Sequence, residues 1–255
     1  MYSLITKIKE KKELRGLADS FVQQTLTQVL KKNNLSLPLT PVAERIIMKE
    51  VRAQLRRHVG QFQTSKDQVG LLRTKNYPEL LRTHASTRER LPDYPFFRQK
   101  IAAFAARSIL DIGCGLNPVA LATKGMRYWA TDINESDLAI VHQFFKQEGL
   151  DGQTRVLDAK TESSFPQADL TLLLKVVDLL DHKGHKRTEQ LLKVLNSPHL
   201  IISFSTKTLS GKPMNHPQRG WIEHLLPRLG YSFTVWKTKN ELYYFASIRD
   251  QRETH

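Results

Sequence analysis

Acidic residues and a pair of glycines follow the first apolar runs in the second half of the chain. Asp111 stands two positions before Gly113, and Gly115 follows after one further residue. Asp132 comes 17 residues after Gly115, at the end of the next apolar run. Glycines permit a tight turn in which backbone N–H groups approach a ligand closely. The carboxylate of Asp132 can accept hydrogen bonds from both hydroxyls of a ribose. This spacing therefore indicates a nucleoside-binding site.

Asp158 ends the third apolar run, where its carboxylate would accept the exocyclic amine of an adenine. A dinucleotide-binding fold would need the pattern G-x-G-x-x-G, but Pro118 stands at the third glycine position. The carboxylate of Asp111 suits a cationic ligand better than a pyrophosphate. We therefore predict a positively charged, adenosine-bearing cofactor, and S-adenosylmethionine is one. The predicted cofactor contacts of this region are Asp111, Gly113, Gly115, Asn117, Asp132, Ile133, Asp158 and Ala159.

Apolar runs alternate with helical patterns throughout residues 105–255. Strands are predicted over 108–113, 128–133, 154–158, 170–175, 200–204, 232–236 and 242–248. Helices over 135–148 and 186–195 lie between them, which indicates βα units and a doubly wound, mostly parallel sheet. Residues 237–241 are too few for a crossover helix, so the last two strands should form an antiparallel hairpin. Ligands bind such a sheet at the carboxyl ends of its strands.

The composition of the 255-residue chain excludes several classes of protein. Hydrophobic residues at 40% and charged residues at 25% exclude a largely disordered protein. Cys114 is the only cysteine, which excludes an internal disulfide and a multi-cysteine zinc site. No run approaches the roughly 18 to 20 apolar residues of a membrane helix, and the N-terminus is charged where a secretory signal would be apolar. We expect a cytoplasmic monomer without a membrane segment or a metal.

The net charge of +14 is concentrated in the first two-fifths of the chain. Residues 1–100 contain 20 Lys and Arg against 9 Asp and Glu, a net of +11. Thr40-Pro41 predicts a helix start and Gly60 a stop, giving a helix over 41–59. One face of that helix is apolar: Ala43, Ile47, Val51, Leu55 and Val59. The opposite face is cationic: Arg45, Lys49, Arg52 and Arg56. We predict that residues 1–104 form a basic helical domain that docks on RNA phosphates, the alternative being a merely solvated face.

Four further segments stand in a distinctive order. They are H-A-S-T-R-E-R-L from His84, D-I-G-C-G-L-N-P-V-A-L from Asp111, L-K-V-V-D-L-L-D from Leu174 and S-F-S-T-K-T-L from Ser203. Together they resemble the aminoglycoside-resistance methyltransferases of 16S ribosomal RNA, which methylate guanine N7 in the decoding site of the assembled 30S subunit. The resemblance implies a Rossmann-like class I methyltransferase domain over 105–255, with a seven-stranded sheet, S-adenosylmethionine as cofactor and 16S rRNA as partner.

The resemblance also assigns roles to residues outside the glycine turn. It implies that Arg90, or Arg88, grips the methionine carboxylate of the cofactor, since an arginine can give a carboxylate two parallel hydrogen bonds. His84 and Ser86 would shape the same site. Lys175 ends the fourth strand, where amino-methyltransferases place residues that face the target base and the cofactor.

Guanine N7 carries a free lone pair, so the reaction needs positioning and no general base. A stacked base must be flipped out of its helix, and Trp221 is the candidate on which it would stack.

Departures from the family pattern lie on the substrate side. Val176-Val177-Asp178 replaces a Leu-Leu-Pro run, and Ser205 and Lys207 replace a proline and an arginine. Lys207 stays a candidate RNA contact. Cofactor use is unaffected, while the target nucleotide stays open. The alternatives are another rRNA or tRNA base, such as adenine N1, and a non-catalytic RNA-binding or assembly factor.

Overall fold

The computed structural model describes residues 1–59, 67–181, 184–195, 197–207, 214 and 219–249. Its helices are α1 (Tyr2–Lys9), α2 (Asp19–Lys32), α3 (Pro41–Val59), α4 (Gln68–Arg73), α5 (Tyr77–Arg82), α6 (Ala85–Arg90), α7 (Tyr94–Ala103), α8 (Asn117–Leu121), α9 (Glu135–Glu148), α10 (Val177–Leu180), α11 (Lys186–Leu195) and α12 (Gly220–Arg228). A 3-10 turn, Lys12–Leu14, lies between α1 and α2. Its strands are β1 (Ser108–Ile112), β2 (Arg127–Asp132), β3 (Gly152–Val156), β4 (Leu170–Leu174), β5 (His199–Ser205), β6 (Tyr231–Lys237) and β7 (Glu241–Ile248). Among these residues no helix is long and apolar enough to cross a membrane.

The described strands form a seven-stranded sheet in the order β3-β2-β1-β4-β5-β7-β6. Strands β1 to β5 run parallel, whereas β7 is antiparallel to both β5 and β6. The predicted α/β fold and its terminal hairpin are therefore confirmed. Strand order reverses between β1 and β4, so the crevice at their carboxyl ends is the expected ligand site.

The central strand β4 is buried along its whole length, as its continuous apolar sequence requires between two helical layers. The edge strand β3 lies two residues earlier than predicted. It ends at Val156 because Val156 pairs with Asp132, the last residue of β2. Asp158 consequently lies in the loop after the strand rather than at its end.

Helix α3 has the bounds and the apolar face that its sequence predicts. The hydroxyl of Thr40 accepts a hydrogen bond from Ala43 N at 3.3 Å, which caps the first turn before Pro41. Ile47, Val51 and Leu55 are buried in a core shared with α1 and α2. Ala43 is half-buried, and the side chain of Val59 lies outside the described part of the structure.

Helices α4 to α7 pack differently from α1 to α3. Leu80, Phe97 and Ile101 belong to the same hydrophobic core as Ile109 and Tyr128 of the sheet. By packing, the N-terminal core ends at α3, while α4 to α7 cover one face of the sheet. The domain boundary at 104 stays a prediction.

Candidate active site

A cavity opens at the carboxyl ends of β1, β2 and β4, as the topology predicts. The predicted cofactor residues that line it are His84, Ser86, Gly113, Gly115, Asp132, Ile133, Asp158, Ala159 and Lys175. Lining residues that sequence reasoning missed include His58, Ile112, Asn134, Asp137, Leu157, Lys160, Leu174, Val176, Leu179 and Leu180. The strands and the loops that follow them thus bring most of the predicted contacts together.

The glycine turn forms the floor of this cavity. Gly113 and Gly115 both have positive φ angles, +68° and +48°. A Cβ atom at Gly113 would lie 2.5 Å from Val176 Cγ2, and one at Gly115 would lie 2.9 Å from His84 Cε1. Both positions therefore require glycine for backbone conformation and for space. Cys114 between them is buried, and desolvation raises the pKa of its thiol, which disfavours the nucleophilic thiolate.

Asp132 ties the glycine turn to the loop after β2. Its Oδ2 accepts a hydrogen bond from Gly115 N, and its Oδ1 accepts one from Asn134 N, both at 2.9 Å. Burial raises the pKa of Asp132, and these N–H donors oppose that shift. Each carboxylate oxygen has a second lone pair that can accept a ribose hydroxyl. The glycine cradle and this carboxylate fit a bound nucleoside.

Asp158 has a structural bond in addition to its place on the cavity. Its Oδ1 accepts a hydrogen bond from Lys160 N at 3.0 Å, which forms a side-chain turn. The same carboxylate lines the cavity beside Ala159. Turn formation and contact with an adenine amine are compatible, since a carboxylate offers about four acceptor positions.

His84 and Lys175 lie at the other end of the cavity. Burial, and secondarily the charges of Arg90 and Lys175, lower the pKa of His84 to about 3, so its imidazole is neutral. Lys175 adopts a φ of +61°, which is uncommon for a side-chain-bearing residue. Its Nζ lies 2.6 Å from Glu89 Oε2 and 3.2 Å from Glu241 Oε1. The ammonium group is therefore held between two carboxylates at the edge of the cavity.

Arg90 binds a carboxylate of the chain itself, whereas the prediction was that it binds the carboxylate of the cofactor. Its side chain is 1% exposed, and its Nε and Nη2 donate to the carboxylate of Glu241 at 2.9 and 3.2 Å. Its Nη1 donates to Asn117 Oδ1 at 2.7 Å. In this geometry Glu241 occupies the position that the prediction gave to the cofactor carboxylate, and Arg90 is not on the cavity lining. Arg88 is exposed and also lies off that lining.

Asp111 and Asn117 are buried and are not among the residues that line the cavity, so their predicted contact with the cofactor stays a prediction. Asp111 Oδ2 accepts a hydrogen bond from the Tyr128 hydroxyl at 2.8 Å, and burial raises the pKa of Asp111 to about 7. Asn117 Oδ1 accepts a hydrogen bond from the Tyr94 hydroxyl at 2.9 Å. Both side chains therefore bind buried tyrosine hydroxyls.

The substrate-side candidates Trp221 and Lys207 already have partners within the chain. Trp221 stacks on His185 with ring centroids 3.8 Å apart and an angle of 3° between the planes. A flipped base can stack on the opposite face only, or must displace His185. Lys207 donates from Nζ to Asn240 Oδ1 at 2.9 Å.

The cationic face of α3 divides into two pairs. Arg45 and Lys49 are exposed. Arg52 donates to the carbonyl of Ile8 and lies 3.8 Å from Glu10, while Arg56 donates to Glu13 at 2.8 Å. Two of the four predicted RNA contacts on α3 therefore also bind the N-terminal segment.

The residue that sequence reasoning missed most completely is Glu241, which binds Arg90, Lys175 and the Ser203 hydroxyl. Desolvation alone would raise its pKa, but the charges of Arg90 and Lys175 hold the pKa of Glu241 below its usual range. No local pattern marks it, because its partners are far away in the chain. Asn134 could have been found as the cap of α9, where its Oδ1 accepts N–H bonds from the first turn.

Residues 39–245 match the model of a family described as ribosomal RNA methyltransferase (FmrO). This match covers most of the chain, including α3 and every strand except the end of β7. The chain belongs to the FmrO ribosomal RNA methyltransferase family. The predicted family and the predicted enzyme class are thereby confirmed.

Curated relatives of this FmrO-family chain have consistent names. A 16S rRNA (guanine(1405)-N(7))-methyltransferase of Serratia marcescens is 28% identical over 230 residues, which cover 88% of each chain. One of the same name from Frankia casuarinae is 30% identical over 175 residues, 65% of this chain and 62% of the relative.

Solved structures agree with these relatives. The 16S rRNA methyltransferase RmtF in complex with S-adenosyl-L-homocysteine is 25% identical, covers 97% of this chain and 98% of its own, and superposes with a TM-score of 0.81. The 16S rRNA methylase RmtB, at 24% identity and a TM-score of 0.78, covers 97% and 98% and shares the fold. The ligand of the RmtF structure agrees with the predicted cofactor of the FmrO-family chain.

Proposed function

We propose that this chain transfers the methyl group of S-adenosylmethionine to N7 of a guanosine in the 16S rRNA of the 30S subunit, in the cytoplasm. The observation that carries the proposal is the cavity at the sheet's switch point, with its glycine floor and the carboxylate of Asp132, in a chain that matches rRNA methyltransferases from residue 39 onward. The names of the relatives specify the base and the atom.

The cofactor would supply a methyl group bound to a positively charged sulfur. The sulfur would leave as part of a neutral thioether. The residues of the chain have only to bind and orient. Asp132 accepts hydrogen bonds from the ribose hydroxyls, and Asp158 accepts one from the adenine amine. The Gly113–Gly115 turn lets the backbone approach the bound molecule. Arg88 or Arg90 keeps the proposed carboxylate contact. For Arg90 this contact requires the carboxylate of the cofactor to compete with the carboxylate of Glu241.

No residue needs to remove a proton before attack, because guanine N7 already has a lone pair. The site agrees with this requirement. His84 is buried and neutral, with a pKa of about 3, and Lys175 is held by two carboxylates. The barrier would be lowered by holding base and methyl group in attack geometry. Lys175 and Trp221 are the proposed contacts on the side of the target base.

RNA docking would rest on the basic N-terminal helices. Arg45 and Lys49 present their charges to solvent, and Arg52, Arg56 and Lys207 would add phosphate contacts from partly engaged positions. Each phosphate that is neutralised releases condensed counterions and adds affinity that does not depend on base sequence. This affinity would offset the few kcal/mol that flipping the target base costs.

Transfer from radiolabelled S-adenosylmethionine to unmodified 30S subunits tests the proposal. We expect label in 16S rRNA, located by mass spectrometry at N7 of one guanosine. Label on adenine N1 or on another RNA would favour the alternative methyltransferases. Binding to 30S subunits without transfer, in a chain that binds the cofactor, would favour a non-catalytic assembly factor.

A further inference from the structure

The basic helix α3 reaches the cofactor cavity itself. His58, the second-last residue of α3, lines that cavity together with the loop after β3. Its Nε2 lies 3.2 Å from the Nζ of Lys160. Helix α3 therefore forms part of a cavity that sequence reasoning assigned to the segment from His84 to Arg90 and to residues 105–255.

The position of this contact along the cavity identifies which part of a nucleoside cofactor it would face. Lys175 follows β4, Asp132 ends β2, and Leu157 to Lys160 follow β3 at the outer side of the sheet. A nucleoside whose ribose is bound by Asp132, with its reactive end toward β4, must place its base toward the loop after β3. His58 and Lys160 are thus at the base end.

The chemistry of the pair fits a purine. An ammonium group can only donate, so a charged Lys160 would donate to Nε2 of His58. The rings of Phe21 and His58 pack edge to face with centroids 5.5 Å apart, which restrains the imidazole. A lysine has three N–H donors, and a purine ring has three acceptor nitrogens along its edges. Burial lowers the pKa of Lys160 and so disfavours its charge, which further acceptors would stabilise.

A second contact links the helical region to the ribose end of the same cavity. Ala18 N donates to the carbonyl of Ile133 at 2.9 Å, and Leu17 forms a bridge with Asn134. Asn134 N in turn donates to Asp132. The N-terminal helices therefore contact both loops that would surround an adenosine.

We propose that His58 and Lys160 form the adenine-binding wall of the cofactor site, in which His58 positions the ammonium group of Lys160 toward the purine. This inference deepens the proposed function and rests on its adenosine cofactor. One consequence concerns RNA binding. If the cofactor and the RNA both contact α3, their binding is coupled. Each ligand then changes the affinity of the other by the same factor.

Calorimetric titration with two ligands tests the pair. S-adenosylhomocysteine contains adenosine and an amino acid, whereas 5′-methylthioadenosine lacks the amino acid. His58→Phe keeps the ring packing on Phe21 and removes the acceptor, and Lys160→Met keeps the aliphatic stem. We expect each variant to lose about tenfold in affinity for both ligands, the value of one hydrogen bond to a charged group. The double variant should lose little more than either single variant, because the two residues act as a unit.

His142→Phe, at an exposed position of α9, is the matched control and should bind both ligands like the wild type. Melting curves establish that each variant is folded. Affinities within twofold of wild type for both ligands in both variants would overturn the inference, as would a loss confined to S-adenosylhomocysteine. A wild-type chain that binds neither ligand would instead overturn the proposed function, and this inference with it.

Discussion

Asp132 is the residue on which the proposed cofactor site most depends, because its carboxylate faces the cavity between two backbone donors. Asp132→Ala should lower the affinity for S-adenosylhomocysteine at least about a hundredfold, since two hydrogen bonds to a charged acceptor are lost. Calorimetry measures the change. Asp151→Ala is the control, because the described side-chain contact of Asp151 is an exposed ion pair with Arg127. Unaltered affinity in Asp132→Ala would contradict the assigned ribose contact.

Asp111 should give the stability of the protein a particular pH dependence. Burial raises its pKa to about 7 from a reference value of 3.8. Between these values the folded chain holds a proton that the unfolded chain has released. The contribution of this group to stability is therefore full below about pH 4 and is lost as the pH rises to about 7.

In the variant Asp111→Asn this side chain cannot titrate. Its free energy of unfolding should therefore fall less steeply over this pH range than that of the wild type, by at most about 1.4 kcal/mol per pH unit. Urea titrations at several pH values measure the free energy of unfolding. Asp151→Asn should follow the wild-type curve. Parallel curves for Asp111→Asn and wild type would show that Asp111 does not titrate as proposed.

At the scale of elements, one buried carboxylate joins the terminal hairpin to the helix α6 and to the end of β4. Glu241 begins β7, Arg90 ends α6 and Lys175 follows β4. A buried ion pair adds little stability over an apolar packing, but removal of one partner leaves an uncompensated charge. The pair therefore determines which elements stay together rather than how stable the fold is overall.

Glu241→Gln should lower the free energy of unfolding by about 3 to 5 kcal/mol, because the buried charge of Arg90 loses its partner. Denaturant titration near neutral pH measures this. The pKa of Glu241 is lowered in the folded state, so the difference from wild type should shrink as the pH falls below about 4.5. The exposed Glu135→Gln is the control. A loss below about 1 kcal/mol would mean that the pair does not join these elements.

Helix α3 combines a buried apolar face with exposed cations. Replacing Arg45 and Lys49 by alanine should weaken 30S binding and lower the slope of log affinity against log salt by about 1.5, as expected for two lost phosphate contacts. Affinity for S-adenosylhomocysteine should not change. Filter binding at several salt concentrations measures the affinity for 30S subunits and the slope of that affinity against salt. Unchanged 30S affinity would show that this face is only solvated.

At the scale of the whole molecule, charge and cofactor chemistry are segregated. The first 100 residues carry a net charge of +11 out of +14, whereas the described lining of the cofactor cavity combines three carboxylates with two lysines: Asp132, Asp137, Asp158, Lys160 and Lys175. The proposed RNA-docking surface is therefore more strongly cationic than the proposed cofactor site. Contacts between α3 and the loops after β2 and β3 connect the two surfaces.

Methylation of 30S subunits at subsaturating concentration should fall at least about tenfold between 50 and 200 mM salt, because multiple phosphate contacts are weakened together. Cofactor affinity should change little over the same range. Initial rates with labelled cofactor and parallel calorimetry separate the two effects. Equal sensitivity of both quantities would contradict the segregation of charge and cofactor binding.

Local patterns in the sequence predicted the elements and many of the site residues. Helix α9 over Glu135–Glu148, helix α11 over Lys186–Leu195 and the terminal hairpin agree with prediction. So does the gathering of Gly113, Gly115 and Asp132 on a single cavity. Such features depend on contiguous residues and on the general rule that parallel strands end at one edge of a sheet.

What the sequence by itself determined is therefore the α/β fold, the basic N-terminal helices and the loops that are proposed to bind a nucleoside. Only the tertiary structure decided which side chains meet across those elements. Arg90 pairs with Glu241 across 151 positions, and His58 meets Lys160 across 102. The packing of helices onto the sheet sets these contacts, and no local spacing of residue types encodes the distance between two groups that only the folded chain brings together.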